Sequence, residues 1–216
     1  MNTSSQNDIL IGQTCALDFL ANVLYEAPSK ELVERLVTIN PMADFPFASH
    51  NHTMQLAQKG FASWVSNPEP FEALAKDHMS LFEGPEKPMV PPWESSFFSK
   101  DDLLFQEQAV QVKSWFSTYG LQLASRQNEP MDHIAFELEF CSYLTKKSLR
   151  ASNEHNCEEE KRFMQSEKQF FSEHLGSWGI PWAKNLAEAA KTVFFKSAAL
   201  FLIATLEETK AVLDAA

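Results

Sequence analysis

Apolar side chains recur at three- and four-residue steps along most of this 216-residue chain, the spacing of one helix face, and strict two-residue alternation is nearly absent. Ile9, Ile11, Cys15, Phe19, Leu20, Val23 and Leu24 predict a first amphipathic helix, which Pro28 ends. Ser29 is placed to cap a second, with Leu32, Val33, Leu36 and Val37 on one face and Glu31 in the first turn, where the helix dipole favours an acid. Pro41 and Pro46 make Asn40–His50 a loop. A third helix from about Thr53 to Ser66 turns Leu56, Phe61, Trp64 and Val65 inward, and Asn67-Pro68-Glu69-Pro70 separates it from a fourth bearing Phe71, Leu74, Leu81 and Phe82.

Beyond a proline-rich stretch, Ser99 with Asp102 is a capping signal for a long helix carrying Leu104, Phe105, Val112, Trp115, Phe116 and Tyr119, stopped by Gly120. The helix from Asp132 has Ile134, Leu138, Cys141 and Leu144 on one face and Phe136, Phe140 and Tyr143 on another. Apolar neighbours on two sides are needed to bury it, which makes it the central helix. Polar Ala151–Lys161 reads as a solvated loop, followed by a seventh helix with Phe163, Phe170, Phe171 and Leu175 inward. Gly176–Pro181 breaks the pattern, and Trp182, Leu186, Ala190, Val193, Phe194, Ser197, Leu200, Phe201 and Ala204 lay out a final helix. The expectation is an all-α fold of about eight helices in a single helical domain with two lobes, residues 1–125 and 126–216. The link Ser125–Met131, which contains Pro130, is the candidate hinge between them. If it straightens, the second lobe of one chain docks on the first lobe of another, so the chain is expected to be mainly monomeric with a minor domain-swapped dimer.

Composition agrees with helices: six glycines stand against eighteen phenylalanines. A net charge of −11 argues against nucleic acid, whose phosphates need basic surface, and against acidic membrane surfaces, and it suits a cationic peptide. Cys15, Cys141 and Cys157 are far apart and show no C-x-x-C spacing, so neither a disulfide framework nor a zinc site is expected. Met1–Asp8 has no basic, then apolar, signal character, and the longest apolar run, Ser197–Leu206, falls well short of the roughly 20 residues of a membrane span. A cytoplasmic protein without membrane insertion is the expectation.

The stretch Gly84–Ser95, GPEKPMVPPWES, holds four of the eleven prolines. Pro91 and Pro92 fix φ and remove two backbone donors, so Trp93 is presented by a stiff segment, either as a binding anchor or as a plug over the core. A second stretch, Asn128–Leu144, reads NEPMDHIAFELEFCSYL. Leu81, Phe82, Gly84, Pro85, Pro91, Pro92, Trp93, Glu94 and Ser95, followed by Glu129, Pro130, Asp132 and His133, resemble the L-F-x-G-P, P-P-W-E-S and E-P-x-D-H tracts of the TorD/DmsD family of redox-enzyme maturation chaperones. The resemblance continues through Trp115, Tyr119-Gly120-Leu121, His174-Leu175 and Trp178, and the first 75 residues share only helical character.

That resemblance implies a TorD-like fold and a chaperone for the twin-arginine signal peptide and apo form of a molybdoenzyme, protecting it for cofactor insertion and delaying Tat export. It sets the two loops side by side as the binding site. Glu94, Glu129 and Asp132 suit guanidinium groups, which prefer bidentate carboxylates, while Leu81, Phe82, Trp93 and Trp115 suit the apolar part of the peptide. Pro91, Pro92, Pro130 and His133 complete the loops.

Glu129, Asp132 and His133 also admit a helical, hydrolase-like enzyme, although no nucleophile is spaced to work with them. For Asp132 the competing reading is a cap on its own helix. His50-Asn51-His52 and His155-Asn156-Cys157 are each half of a metal site lacking a second half, and no phosphate-binding glycine motif occurs, so neither metal nor cofactor is expected.

Overall fold

The computed structural model describes residues 3–43, 45–84, 87–99, 107–122 and 129–215. Among these are ten α-helices and no strand: α1 (Thr3–Tyr25), α2 (Lys30–Ile39), α3 (His52–Ser66), α4 (Phe71–His78), α5 (Glu94–Phe98), α6 (Glu107–Thr118), α7 (Ile134–Asn153), α8 (Cys157–Glu173), α9 (Leu175–Ala189) and α10 (Val193–Ala215). A π-helical turn, Met79–Glu83, extends α4. The Ser29 hydroxyl accepts from the Leu32 amide at 3.2 Å, as its position predicts, and Asn51 caps α3 in the same way through the amides of Thr53 and Met54.

Two helices form the core. α7 is clasped by α1 and α8, and α10 by α3 and α9. The apolar run of α10 is spent mostly inside: Phe194, Phe195, Ala198, Phe201, Leu202, Ala204 and Leu206 are buried and Leu200 is partly so. No described helix is long and apolar enough to cross a membrane. Because α1 packs on α7 and α3 on α10, the main packing runs across residue 125, and the residues on either side of it share one core.

Several expectations are corrected. In α1 the buried face is Leu10, Ala16, Leu17, Leu20, Ala21, Val23 and Leu24; Ile11 and Cys15 point outward, and in α3 so does Leu56. Ala151–Lys161 is no loop: α7 and α8 meet at a turn in which His155 takes φ 56° and Asn156 caps α8. Gly176–Pro181 is helical, because burying Trp178 and Trp182 in the core outweighs the bond that Pro181 cannot make. The expected final helix breaks instead at Ala190–Thr192. There Asp77 accepts from the amides of Lys191 and Thr192, and Glu69 accepts from those of Val193 and Phe194, so the start of α10 is held by acids from around α4. Ser99 ends α5. Asp102, Leu104 and Phe105, expected at the start of the long helix that contains α6, lie outside the described residues, as do Pro85 and most of the hinge, including Gln127.

Candidate functional site

The proline-rich loop leaves the π-turn at Gly84, where φ is 61° and a Cβ would meet the Lys87 backbone at 2.7 Å, so only glycine fits the return. The amides of Met89 and Val90 donate back to the carbonyls of Ser80 and Leu81, pinning the loop to the π-turn. Leu81 and Phe82 are buried, and Phe82 stacks on Trp182 with centroids 6.0 Å apart. The prolines lack donors but their carbonyls are fully used: Pro91 accepts from Trp182 Nε1 at 2.8 Å and Pro92 from the Ile134 amide at 2.7 Å.

That last bond joins the two loops. With the Glu94 amide donating to the Asp132 carbonyl at 2.9 Å, it makes an antiparallel bridge between Trp93 and His133. Trp93 is half-buried, its Nε1 donating to Glu129 Oε1 at 2.8 Å and its ring edge-on to His133. Pro130 is buried between these contacts and Glu129 stays partly exposed.

Asp132 does not cap its own helix. Its Oδ2 accepts from the Ser95 amide at 2.8 Å, so it caps α5 across the bridge, while His133 Nδ1 accepts from the Ala135 amide at 3.1 Å and caps α7. Accepting at Nδ1 places the His133 proton on Nε2. Its ring packs on Tyr25 and Phe136. A backbone bridge thus turns Asp132 toward the neighbouring loop, a pairing no local spacing reveals.

Beneath the bridge lies a buried polar cluster. Glu94 is 2% exposed and Asp132 and Glu137 are fully enclosed. His174 Nδ1 donates to Glu94 Oε2 at 2.8 Å, and Trp178 Nε1 donates to Glu137 Oε2 at 3.0 Å. Glu137 Oε1 and Asp132 Oδ1 have no donor among the described residues. Burial, and then the charge of Glu94, push the Glu137 carboxyl well above the ordinary carboxylate range. On the far side of His174 opens a cleft of about 670 Å³ lined by Gln111, Ser114, Trp115, Thr118, Glu173 and His174. Trp115 is half-buried in its wall against Phe140 and Phe170.

The structure therefore brings Pro91, Pro92, Trp93, Glu94, Glu129, Pro130, Asp132 and His133 together, leaves Trp115 across the Glu94–His174 pair, and sinks Leu81 and Phe82 in the core. Glu137 and Trp178 are the residues that residue-by-residue reasoning missed. The signal was available in the ELEF segment and in the intervals separating His174 and Trp178 from the loops.

The family model described as nitrate reductase delta subunit matches residues 49–184, more than half of the chain and every residue of this site. The chain is similar to the chaperone protein TorD of Vibrio vulnificus, 32% identical over 131 residues that cover 61% of this chain and 60% of that protein. It is similar to the chaperone protein TorD of Aliivibrio salmonicida, 30% identical over 135 residues covering 62% and 61%. The probable Tat proofreading chaperone DmsD of Haemophilus influenzae is 21% identical over 164 residues, covering 76% and 69%. The chain thus spans about three-fifths of the length of the TorD relatives.

Proposed function

The chain belongs to the nitrate reductase delta subunit family, the family of the TorD and DmsD chaperones, and from that premise we propose that it is a maturation chaperone for a molybdoenzyme. In this reading it binds the twin-arginine signal peptide and the apo form of its client in the cytoplasm, keeps the client open to cofactor insertion and delays its export. The observation that supports this most is the bridge between the two loops, which presents a preorganised indole, Trp93, beside an accessible carboxylate, Glu129. A rigid aromatic anchor with an adjacent acid suits a peptide carrying guanidinium groups and apolar side chains.

The contacts divide by exposure. Trp93, Glu129 and the rim of Pro91 face the peptide, and the cleft of Trp115 and Glu173 takes a further stretch of it. Glu94, Asp132, His133, Pro92, Pro130, Leu81 and Phe82 act from beneath, holding the surface residues in place.

The same geometry disfavours the hydrolase-like alternative. Glu129 is bonded to Trp93, Asp132 to the Ser95 amide and His133 to the Ala135 amide, so each acid-base candidate is committed to a separate structural bond. Capture of the protein from the organism that encodes it, with identification of what accompanies it, tests the reading. A molybdoenzyme precursor retaining a twin-arginine leader is expected. Recovery of that same enzyme only as its mature, leader-free form would contradict it.

A further inference from the structure

Three carboxyl groups, Glu94, Asp132 and Glu137, are enclosed beneath the joined loops, where the imidazole of His174 faces only Glu94, and three bare carboxylate charges are too costly to share a dry interior. Their surroundings differ. Asp132 accepts from a backbone amide at the start of α5, where the helix end favours an anion, and Glu94 faces the His174 N–H. Glu137 has only the neutral Trp178 indole N–H, and its second oxygen lacks a donor among the described residues. We propose that Glu137 is the positioning residue of the binding loops: it holds a proton toward Glu94, and that shared proton seats α5 and the proline-rich loop on α7 and α9.

The inference rests on the peptide-binding reading of the loops and extends it to regulation. Loss of the proton puts a bare charge on Glu137 beside the buried Glu94 and Asp132 carboxyls, and of the two helices that carry Glu94 and Glu137 the short one is α5, five residues ending at the exposed Phe98. α5 and the loop before it then lift, carrying Trp93 with them. The other titratable groups facing this part of α7 are His133 at its start, Cys141 on α7 itself, Tyr25 from α1 against His133 and Phe136, Glu167 from α8 and His174 at the α8–α9 junction. From α1, Asp18 reaches only the outer edge, at Ser142 and Lys146. Burial, and then the neighbouring Glu94 and Asp132 carboxyls, place the Glu137 carboxyl well above its ordinary range, so it holds its proton to higher pH than an exposed carboxyl does.

The test is the pH dependence of binding of a synthetic twin-arginine peptide between about pH 6 and about pH 10, for the wild type, Glu137→Gln and Glu167→Gln. If the proton is required, the wild-type affinity falls by up to about tenfold per pH unit once it is released. Glu137→Gln, which cannot ionise, removes that fall, and Glu167→Gln retains it. A wild type flat across the range, or a Glu137→Gln variant that falls in parallel with it, overturns the proposal. Hydrogen exchange at the amides of Glu94 and Ser95 is followed at the same pH values without peptide. Their protection drops in alkali in the wild type and not in Glu137→Gln; equal protection in both overturns the seat as well. A wild type that binds no peptide at any pH sinks the functional reading, and the exchange comparison still decides on Glu137.

Discussion

Trp93 carries two kinds of contact at once, a hydrogen bond to Glu129 and an edge-on ring contact to His133, while part of it remains accessible. Truncation to alanine therefore removes an anchor more than a piece of core. Trp93→Ala is expected to weaken twin-arginine peptide binding by about 1–3 kcal/mol. Calorimetry alongside thermal unfolding separates the roles: a lowered Tm with unchanged affinity per folded molecule makes Trp93 a plug. A second residue, Glu167, reports on pH. Burial pushes its carboxyl up to about 8 although Thr145 and Gln13 donate to it. The native state then keeps a proton that the unfolded chain releases from its ordinary 4.5 upward, so stability falls as pH rises through that window. Glu167→Gln keeps the accepting oxygen and cannot ionise, so it should gain on the wild type by on the order of 2–3 kcal/mol by pH 8 and by little near pH 5. Urea unfolding at both pH values checks this, and parallel profiles would refute it. At this scale the sequence reveals which residues matter better than what they do. Asp132 and His133 stand out by type and spacing, but the partner of Asp132 is 37 residues away at Ser95, and only the folded bridge selects it.

At the scale of elements, helix faces read from spacing are sound where burial is one-sided, as in α2, where Val33 and Leu36 are buried. Spacing is less informative where a helix is enclosed, because 12 of the 20 positions of α7 and 13 of the 23 of α10 are buried, polar ones included, on more than one face. Breaks were legible only when their cause was local. Pro28 ends α1's run as expected, but the gap before α10 is made by Asp77 and Glu69, distant in sequence, and Pro181 fails to break α9 because two tryptophans bind it to the core. The close packing of α3 on α10 makes its own prediction. A Cβ on Gly60 would run into the Ser197 hydroxyl, so Gly60→Ala should destabilise by about 1–3 kcal/mol despite alanine's better helix propensity. Adding Ser197→Ala should recover part of that loss in denaturant unfolding; strict additivity of the two would show that they do not touch.

For the whole molecule, a net charge of −11, with Glu129 and Glu173 reaching solvent at the site, favours the approach of a cationic peptide. Because α1 packs on α7 and α3 on α10, every main contact between residues 1–125 and 126–216 can be made again between two chains. A minor, slowly exchanging swapped dimer is the expected consequence, and two flexible residues inserted after Gln127 should shift the monomer–dimer ratio on size-exclusion chromatography. Re-equilibration of isolated peaks within seconds, indifferent to the insertion, would mean an ordinary surface contact instead. Peptide recognition by the joined loops is measured directly by isothermal titration calorimetry. A peptide with twin arginines followed by an apolar segment should bind at micromolar strength or better, roughly −8 kcal/mol, and lose most of it when the arginines become alanine and the apolar residues serine. Equal affinity for the two peptides would contradict the account.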